Sequence, residues 1–290
     1  MRRRTKKKKS PAGLVAGVLL LGLGAVLLWR GYTGDGAEDT PRSQRPLGIM
    51  GEMMTAPIDT IADTGLLVLV NGKTAVTDEP ALSSLACAYR VVPVRIAEMY
   101  LREEALTALD AFFEAAEKAG FTNLVFSSGF RNKEEQARIY NDSADKSFVQ
   151  PSGYSEHQTG LAADIFALGV TEAAMPNSRE GQWLAENAVR FGFILRYPAG
   201  KEDITGIAYE PWHFRYIGAP HADYCEVNGL TYEEYITALR NSGGYEMEIG
   251  GTRYAVVYQT AAGGQISVPE DGQWSMSRDN TGGYIVTMWE

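Results

Sequence analysis

Histidine is scarce in this chain, with three residues in 290. Candidate metal ligands and general bases of that type are therefore few enough to weigh one at a time. Cysteine is scarcer, at Cys87 and Cys225 only. Their spacing is far too wide for a C-x-x-C metal or redox motif. A disulfide between them is permitted outside the cytoplasm, and two separate buried thiols fit equally well. Internal repeats are also missing, which excludes a solenoid or propeller.

Acidic residues are absent from the first thirty positions. Residues 1–30 hold eight Lys/Arg, seven of them in "MRRRTKKKKS", and no Asp/Glu. The remainder has 19 basic against 36 acidic residues, a net of −17, which excludes a nucleic-acid-binding domain. The basic tail, residues 1–10, precedes "PAGLVAGVLLLGLGAVLLW", 19 residues without a charge. That is close to the roughly 20 needed to span a bilayer. The run exceeds the about 7–15 apolar residues of a cleaved signal peptide, the competing reading, and Trp29-Arg30 rather than a small-residue cleavage site follows it. Residues 11–30 are therefore expected to be an uncleaved single-pass anchor in the cell membrane. The tail would be cytoplasmic and the rest extracytoplasmic. Residues 31–60, rich in Gly, Pro, Asp and Thr, read as a linker.

Residues 61–242 read as one mixed domain. "GLLVLVNG" suggests a strand closed by a turn. Leu106, Leu109, Phe113 and Ala116 mark an amphipathic helix over residues 102–119, stopped by Gly120. "NLVFSSGF" reads as a strand running into a turn, and Asn132 with Glu135 begins a second helix. A third helix is expected over "REGQWLAENAVRF" and a fourth over "TYEEYITALRN", with strand-like "GFILRYP" and "IAYEPWHFRYIG" between them. Residues 243–290 change to β-prone pieces with Gly-rich turns. The expected fold class is α+β, a central mainly antiparallel sheet with flanking helices and a small C-terminal β appendage.

Three short stretches carry possible chemistry. In "SGYSEHQTGLAADI", Gly153 and Gly160 bracket His157, and Asp164 lies in an apolar strand. A buried carboxylate is costly unless paired or bound to a cation. In "EPWHF", Glu210 and His213 would face opposite sides of a regular strand. Pro211 is expected to bend the chain and bring both into one cavity. Two His and one Asp suit zinc and leave a fourth position for water, with Glu210 able to take a proton. In "SSGFRNKEEQ", Arg131 stands at a helix N-terminus, which favours anions. His221 reads as a surface or outer residue, not a ligand.

Together these stretches resemble the VanY-type zinc D-alanyl-D-alanine carboxypeptidases, of the superfamily shared with lysostaphin-type enzymes and the hedgehog signalling domain. That pattern is S-G-[YF]-R, S-x-H-x-x-G-x-A-x-D and E-x-W-H. The chain reads "SGFR" at 128–131, "SEHQTGLAAD" at 155–164 and "EPWH" at 210–213. The resemblance covers residues 66–240 and implies the hedgehog/DD-peptidase-like form of the α+β fold. It also implies one zinc held by His157, Asp164 and His213, with Glu210 as general base and proton donor and Arg131 stabilising the oxyanion. Gln136 and Ser155 match substrate-contacting positions, and Trp212 would line the cavity. The implied partners are peptidoglycan stem peptides, cleaved by a monomer that removes a terminal D-alanine. An L,D-carboxypeptidase acting on tetrapeptide stems, or a non-catalytic wall-binding module, would carry the same fold.

Overall fold

The computed structural model describes residues 52–290. The basic tail, the apolar segment 11–30 and most of the 31–60 linker lie outside the described residues. Among those described, no helix is long and apolar enough to cross a membrane.

The strands are β1 (Met53–Pro57), β2 (Ala86–Cys87), β3 (Tyr100–Leu101), β4 (Leu124–Ser128), β5 (Ala162–Ala167), β6 (Phe193–Leu195), β7 (His213–Tyr216), β8 (Gly244–Ile249), β9 (Thr252–Gln259), β10 (Gln265–Pro269), β11 (Gln273–Arg278) and β12 (Tyr284–Trp289). The helices are α1 (Glu103–Lys118), α2 (Lys133–Asp142), α3 (Arg179–Asn187), α4 (Glu202–Thr205), α5 (Ala219–Asn228) and α6 (Tyr232–Ser242). The class is α+β, as expected.

The central sheet has the order β4-β5-β7-β6 and is antiparallel throughout. Strand alternation gives it two different faces. Phe126, Ala163, Ile165, Phe193 and Phe214 enter the main core with Leu106, Leu109 and Phe112 of α1. Phe112 is fully buried and meets the rings of Trp183, Phe191, Phe193 and Phe214. Truncating such a side chain to alanine costs about 3–5 kcal/mol. The opposite face carries Ser128, Asp164 and His213 in one row across three strands. A bulge between Phe126 and Ser128 makes this possible, because regular pairing would place Ser127 opposite Asp164.

The helix expectations hold. Asn132 caps α2 by accepting from the Glu135 N–H at 2.9 Å. Thr231 and Glu234 form a reciprocal capping box on α6. The strand expected in "GLLVLVNG" does not form. Leu66, Leu67, Leu69 and Val70 are buried, but side chains satisfy much of this backbone. Arg215 donates to the Leu66 and Val68 carbonyls, Tyr232 to that of Leu67, and the Leu67 N–H donates to Ser277.

The C-terminal region is a four-stranded antiparallel sheet, β11-β12-β9-β8. One face, with Tyr245, Val256 and Ile285, joins the main core. The other, with Ala255, Val286 and Met288, packs on Ile266 and Val268 of β10 and Ala56 of β1. β1, inside the stretch read as linker, pairs with β10 from Met53↔Pro269 to Pro57↔Gln265. Cys87 is exposed and Cys225 buried, and both are free thiols.

Candidate active site

Each of the three stretches is placed by a local device. In "SSGFR", Gly129 follows the end of β4, where a Cβ would lie 2.5 Å from the Tyr100 carbonyl and 2.6 Å from the Phe126 ring, so only glycine fits. Its carbonyl stands 2.7 Å from His157 Nδ1 and accepts the ring proton there. This leaves Nε2 as the atom with a free lone pair. His157 lies on a 3₁₀ turn, Glu156–Thr159, closed by Gly160 at φ +71°. That left-handed conformation suits glycine. Asp164 sits within β5. Glu210, Pro211 and Trp212 form a turn just before β7, in which the His213 N–H donates to the Glu210 carbonyl at 3.3 Å. The bend expected at Pro211 is this turn, and it brings His213 Nδ1 within 3.6 Å of Glu210 Oε2.

His157, Asp164 and His213 are all buried, and their potential ligand atoms lie within 4.8 Å of one another. His157 Nε2 is 3.4 Å from Asp164 Oδ2, and His213 Nδ1 is 3.1 Å from Asp164 Oδ1. Although close to His213, Asp164 Oδ1 is buried without a properly formed hydrogen bond. An orphaned carboxylate oxygen beside two imidazole nitrogens fits a divalent cation. Arg131 supplies positive charge beside them: its Nη2 lies 3.2 Å from Asp164 Oδ2 and 3.1 Å from His157 Nε2.

The electrostatics separate the roles. Burial, reinforced by Arg131, pushes the His157 imidazole down to about 4, so it is neutral as a ligand must be. Burial raises Asp164, but His157 and His213 outweigh it and hold the carboxyl well below its ordinary value. Burial lowers His213, but the adjacent Asp164 and Glu156 carboxylates overcome that and raise it to about 9. A bound dication competes with that proton for Nδ1. Burial pushes Glu210 up to about 8, placing its proton exchange near neutrality.

The sequence reading missed what lies behind His213. Glu156 is fully buried, with Oε2 3.4 Å from His213 Nε2, and its Oε1 accepts from Arg196 Nε at 2.8 Å and Arg215 Nη1 at 2.9 Å. Arg196 continues to Glu233. Burial raises the Glu156 carboxyl, but the two guanidiniums more than offset this and keep it ionised. The signal available was an arginine in each of two apolar strand sequences, "FILR" and "HFRY".

Gln136 is buried with both amide ends engaged. Its Oε1 accepts from Arg131 Nη1 at 3.2 Å and its Nε2 donates to the Gln150 carbonyl at 2.7 Å. It therefore holds Arg131 in place. Ser155 is buried, and its hydroxyl makes no hydrogen bond among the described residues. Trp212 is half-buried beside Glu210, stacked on Phe166 at 5.4 Å and tilted against Phe148 at 6.2 Å. His221 is not at the surface. It is buried among Tyr235, Tyr245 and Thr287, outside the metal cluster. Its environment is set by helices α5 and α6 folding onto the C-terminal sheet, a long-range contact that local sequence does not encode.

The family model for VanY, D-alanyl-D-alanine carboxypeptidase, matches residues 98–219. A D-alanyl-D-alanine carboxypeptidase of Enterococcus faecium is 32% identical over 235 residues, covering 78% of this chain and 75% of the relative. This chain belongs to the VanY carboxypeptidase family. Among solved structures, the vancomycin-resistance D,D-dipeptidase VanXYg in complex with a D-Ala-D-Ala phosphinate analogue superposes with a TM-score of 0.72. It is 30% identical and covers 83% of this chain and 100% of its own. A VanY D,D-pentapeptidase variant from a VanB-type resistance cassette, in complex with Zn(II), gives 0.50 at 31% identity, covering 59% and 98%. The LdcB LD-carboxypeptidase gives 0.54 at 36% identity, covering 63% and 93%. With VanY membership and the buried His–Asp–His triad together, the chain is a zinc metallocarboxypeptidase.

Proposed function

We propose that this VanY-family enzyme removes the terminal D-alanine from peptidoglycan stem peptides ending in D-Ala-D-Ala. The observation that carries this is the row Ser128–Asp164–His213, with His157 and Glu210 closing on it from two turns. His157 Nε2, Asp164 and His213 Nδ1 would hold the zinc. When bound, zinc polarises the scissile carbonyl and acidifies the attacking water. Glu210 takes that water's proton and returns it to the leaving amine, a transfer suited to a carboxyl that burial holds near neutral pH. Arg131, oriented by Ser128 and Gln136, donates to the developing oxyanion. The free Ser155 hydroxyl binds the substrate's terminal carboxylate, and Trp212 gives the peptide an apolar wall.

The enzyme acts as a monomer, a reading supported by one chain supplying every site residue. It works at the outer face of the bacterial cell membrane, tethered through residues 11–30. The charge-free apolar run behind a cytoplasmic-type basic tail supports the tether. Fractionation of the full chain against one lacking residues 11–30 tests it: the first should sediment with membranes and the second should not.

L,D-cleavage of tetrapeptide stems is the second reading, favoured by the likeness to the LdcB enzyme. Mass analysis of D-alanine released from pentapeptide and tetrapeptide stems decides between them. Release from the pentapeptide alone is expected. Release from the tetrapeptide alone would replace the D,D assignment, and no release from either would leave a wall-binding module.

A further inference from the structure

Residues 66–79 form a strap between the C-terminal sheet and the catalytic loop. Its first half is buried and held by Arg215, Tyr232 and Ser277, as described above. At its turn, Asn71 accepts from the Lys73 and Thr74 N–H groups and donates to Glu233 at 3.0 Å. Its second half is more exposed and has few apolar contacts to fix it.

Two sets of hydrogen bonds hold that second half, one on each side. On the C-terminal side, Asn280 donates to the Ala75 carbonyl at 2.6 Å and more weakly to the Leu69 carbonyl at 3.4 Å, and accepts from the Thr77 hydroxyl at 2.8 Å. Arg278 lies 3.4 Å from Asp78. Asn280 follows β11 and has φ +66°, a left-handed conformation that asparagine tolerates better than most side chains. On the catalytic side, the Val76 N–H donates to the Gly153 carbonyl at 2.7 Å, and Gln158 Nε2 donates to Glu79 at 2.7 Å. Gln158 Oε1 accepts from the Gly153 N–H at 2.6 Å, closing the loop on itself. Gly72 lies against the side chain of Gln150, whose carbonyl holds Gln136. The segment 150–158 therefore rests on the strap, and the strap rests on Asn280.

We propose that the C-terminal sheet is part of the substrate-binding apparatus, with Asn280 as a positioning residue that holds the strap against residues 150–158 and so sets the placement of Ser155. The inference rests on the reading of Ser155 as a substrate-carboxylate contact. Asn280 and the strap's second half make no hydrogen bond to Glu210, Arg131 or the three metal ligands. His157 within that segment keeps its own anchor on the Gly129 carbonyl, and Arg131 its own on the Ser128 hydroxyl, so loosening the strap weakens substrate binding more than the chemical step.

The test uses the full chain loaded with zinc and the variants Asn280→Gly, Thr77→Val and Thr77→Ser. Glycine keeps the left-handed backbone at 280 and deletes only the amide. Asn280→Gly and Thr77→Val should raise KM for a pentapeptide stem about 3- to 10-fold, the size one or two lost neutral hydrogen bonds supply. They should leave kcat and zinc content within about twofold of wild type on the same reasoning. Thr77→Ser keeps the hydroxyl and should behave as wild type. Hydrogen exchange at the amides of Val76 and Gly153 should speed up in Asn280→Gly. This readout needs no turnover, so it tests the brace even where the substrate assignment fails. Unchanged exchange at both amides would overturn the proposal. A lower Tm with unchanged KM, or a fall in kcat at constant KM, would also overturn it.

Discussion

His213 and His221 are both buried, eight residues apart in sequence, and in opposite electrostatic situations. His221 lies among tyrosine and threonine hydroxyls, and burial alone drives it down to about 3. His213 lies between Asp164 and Glu156, and their charges reverse the effect of burial, raising it to about 9. Burial alone therefore does not mark a functional histidine. The chemical difference is the two carboxylates in direct contact with His213: Glu156 is met by Arg196 and Arg215, whereas Asp164 has Arg131 on one oxygen and an unpaired second oxygen suited to a cation. Around His221 every polar atom has a neutral partner, and the group serves to join α5 and α6 to the C-terminal sheet.

The largest effect that could break this contrast is on metal content. His213→Ala should lose its zinc and all measurable turnover, whereas His221→Phe should retain both. Elemental analysis with a stem-peptide assay reads the difference, and equal zinc in the two variants would erase the distinction.

Glu210→Gln should keep the zinc and lose about 10²–10⁴-fold in kcat, the usual worth of a general base. In the wild type the base must be ionised, so kcat/KM should rise with pH through the carboxyl's pKa. That pKa is raised towards about 8 by burial and drawn back down by a bound cation. An acid limb that survives unchanged in Glu210→Gln would assign it to another group.

Glu156→Gln tests the support behind His213. The substitution leaves Arg196 and Arg215 short of a buried counter-charge and weakens the acceptor on His213 Nε2. Zinc affinity should fall about 10–100-fold, as for other outer partners of metal-bound histidines, with turnover partly restored by excess zinc. Metal titration followed by activity measures both.

The smallest effect belongs to His221. Its folded pKa, about 3, lies below the ordinary 6.5, so between these values the unfolded chain binds a proton that the folded chain refuses. Stability from this group is full above about pH 6.5 and declines as pH falls towards about 3. The acid limb of Tm against pH should be shallower in His221→Phe than in wild type, even if its Tm at pH 8 is lower. An identical slope would remove His221 from the acid response.

Much of the candidate site was legible because the residues that converge in it sit in short stretches whose residue types suit metal chemistry. Asn132 and the apolar stripe of α1 placed their helices for local reasons. What escaped depends on distant partners. "GLLVLVNG" has the composition of a strand, yet Arg215, Tyr232 and Ser277 take up backbone groups that a neighbouring strand would have paired. β1 looked like linker because its partner, β10, is more than 200 residues away. α5 has no clear apolar stripe, since Pro220, His221, Ala222 and Cys225 are all buried. Gln136 matched a substrate position by motif, but its geometry places it behind Arg131.

The central claim is that His157, Asp164 and His213 converge on one zinc while His221 stays outside. Anomalous diffraction at the zinc absorption edge, from crystals of the zinc-loaded full chain, tests it most directly. The account predicts a single strong peak about 2.0–2.2 Å from His157 Nε2, His213 Nδ1 and an Asp164 oxygen. A peak on His221, or none within bonding distance of the three, would contradict it.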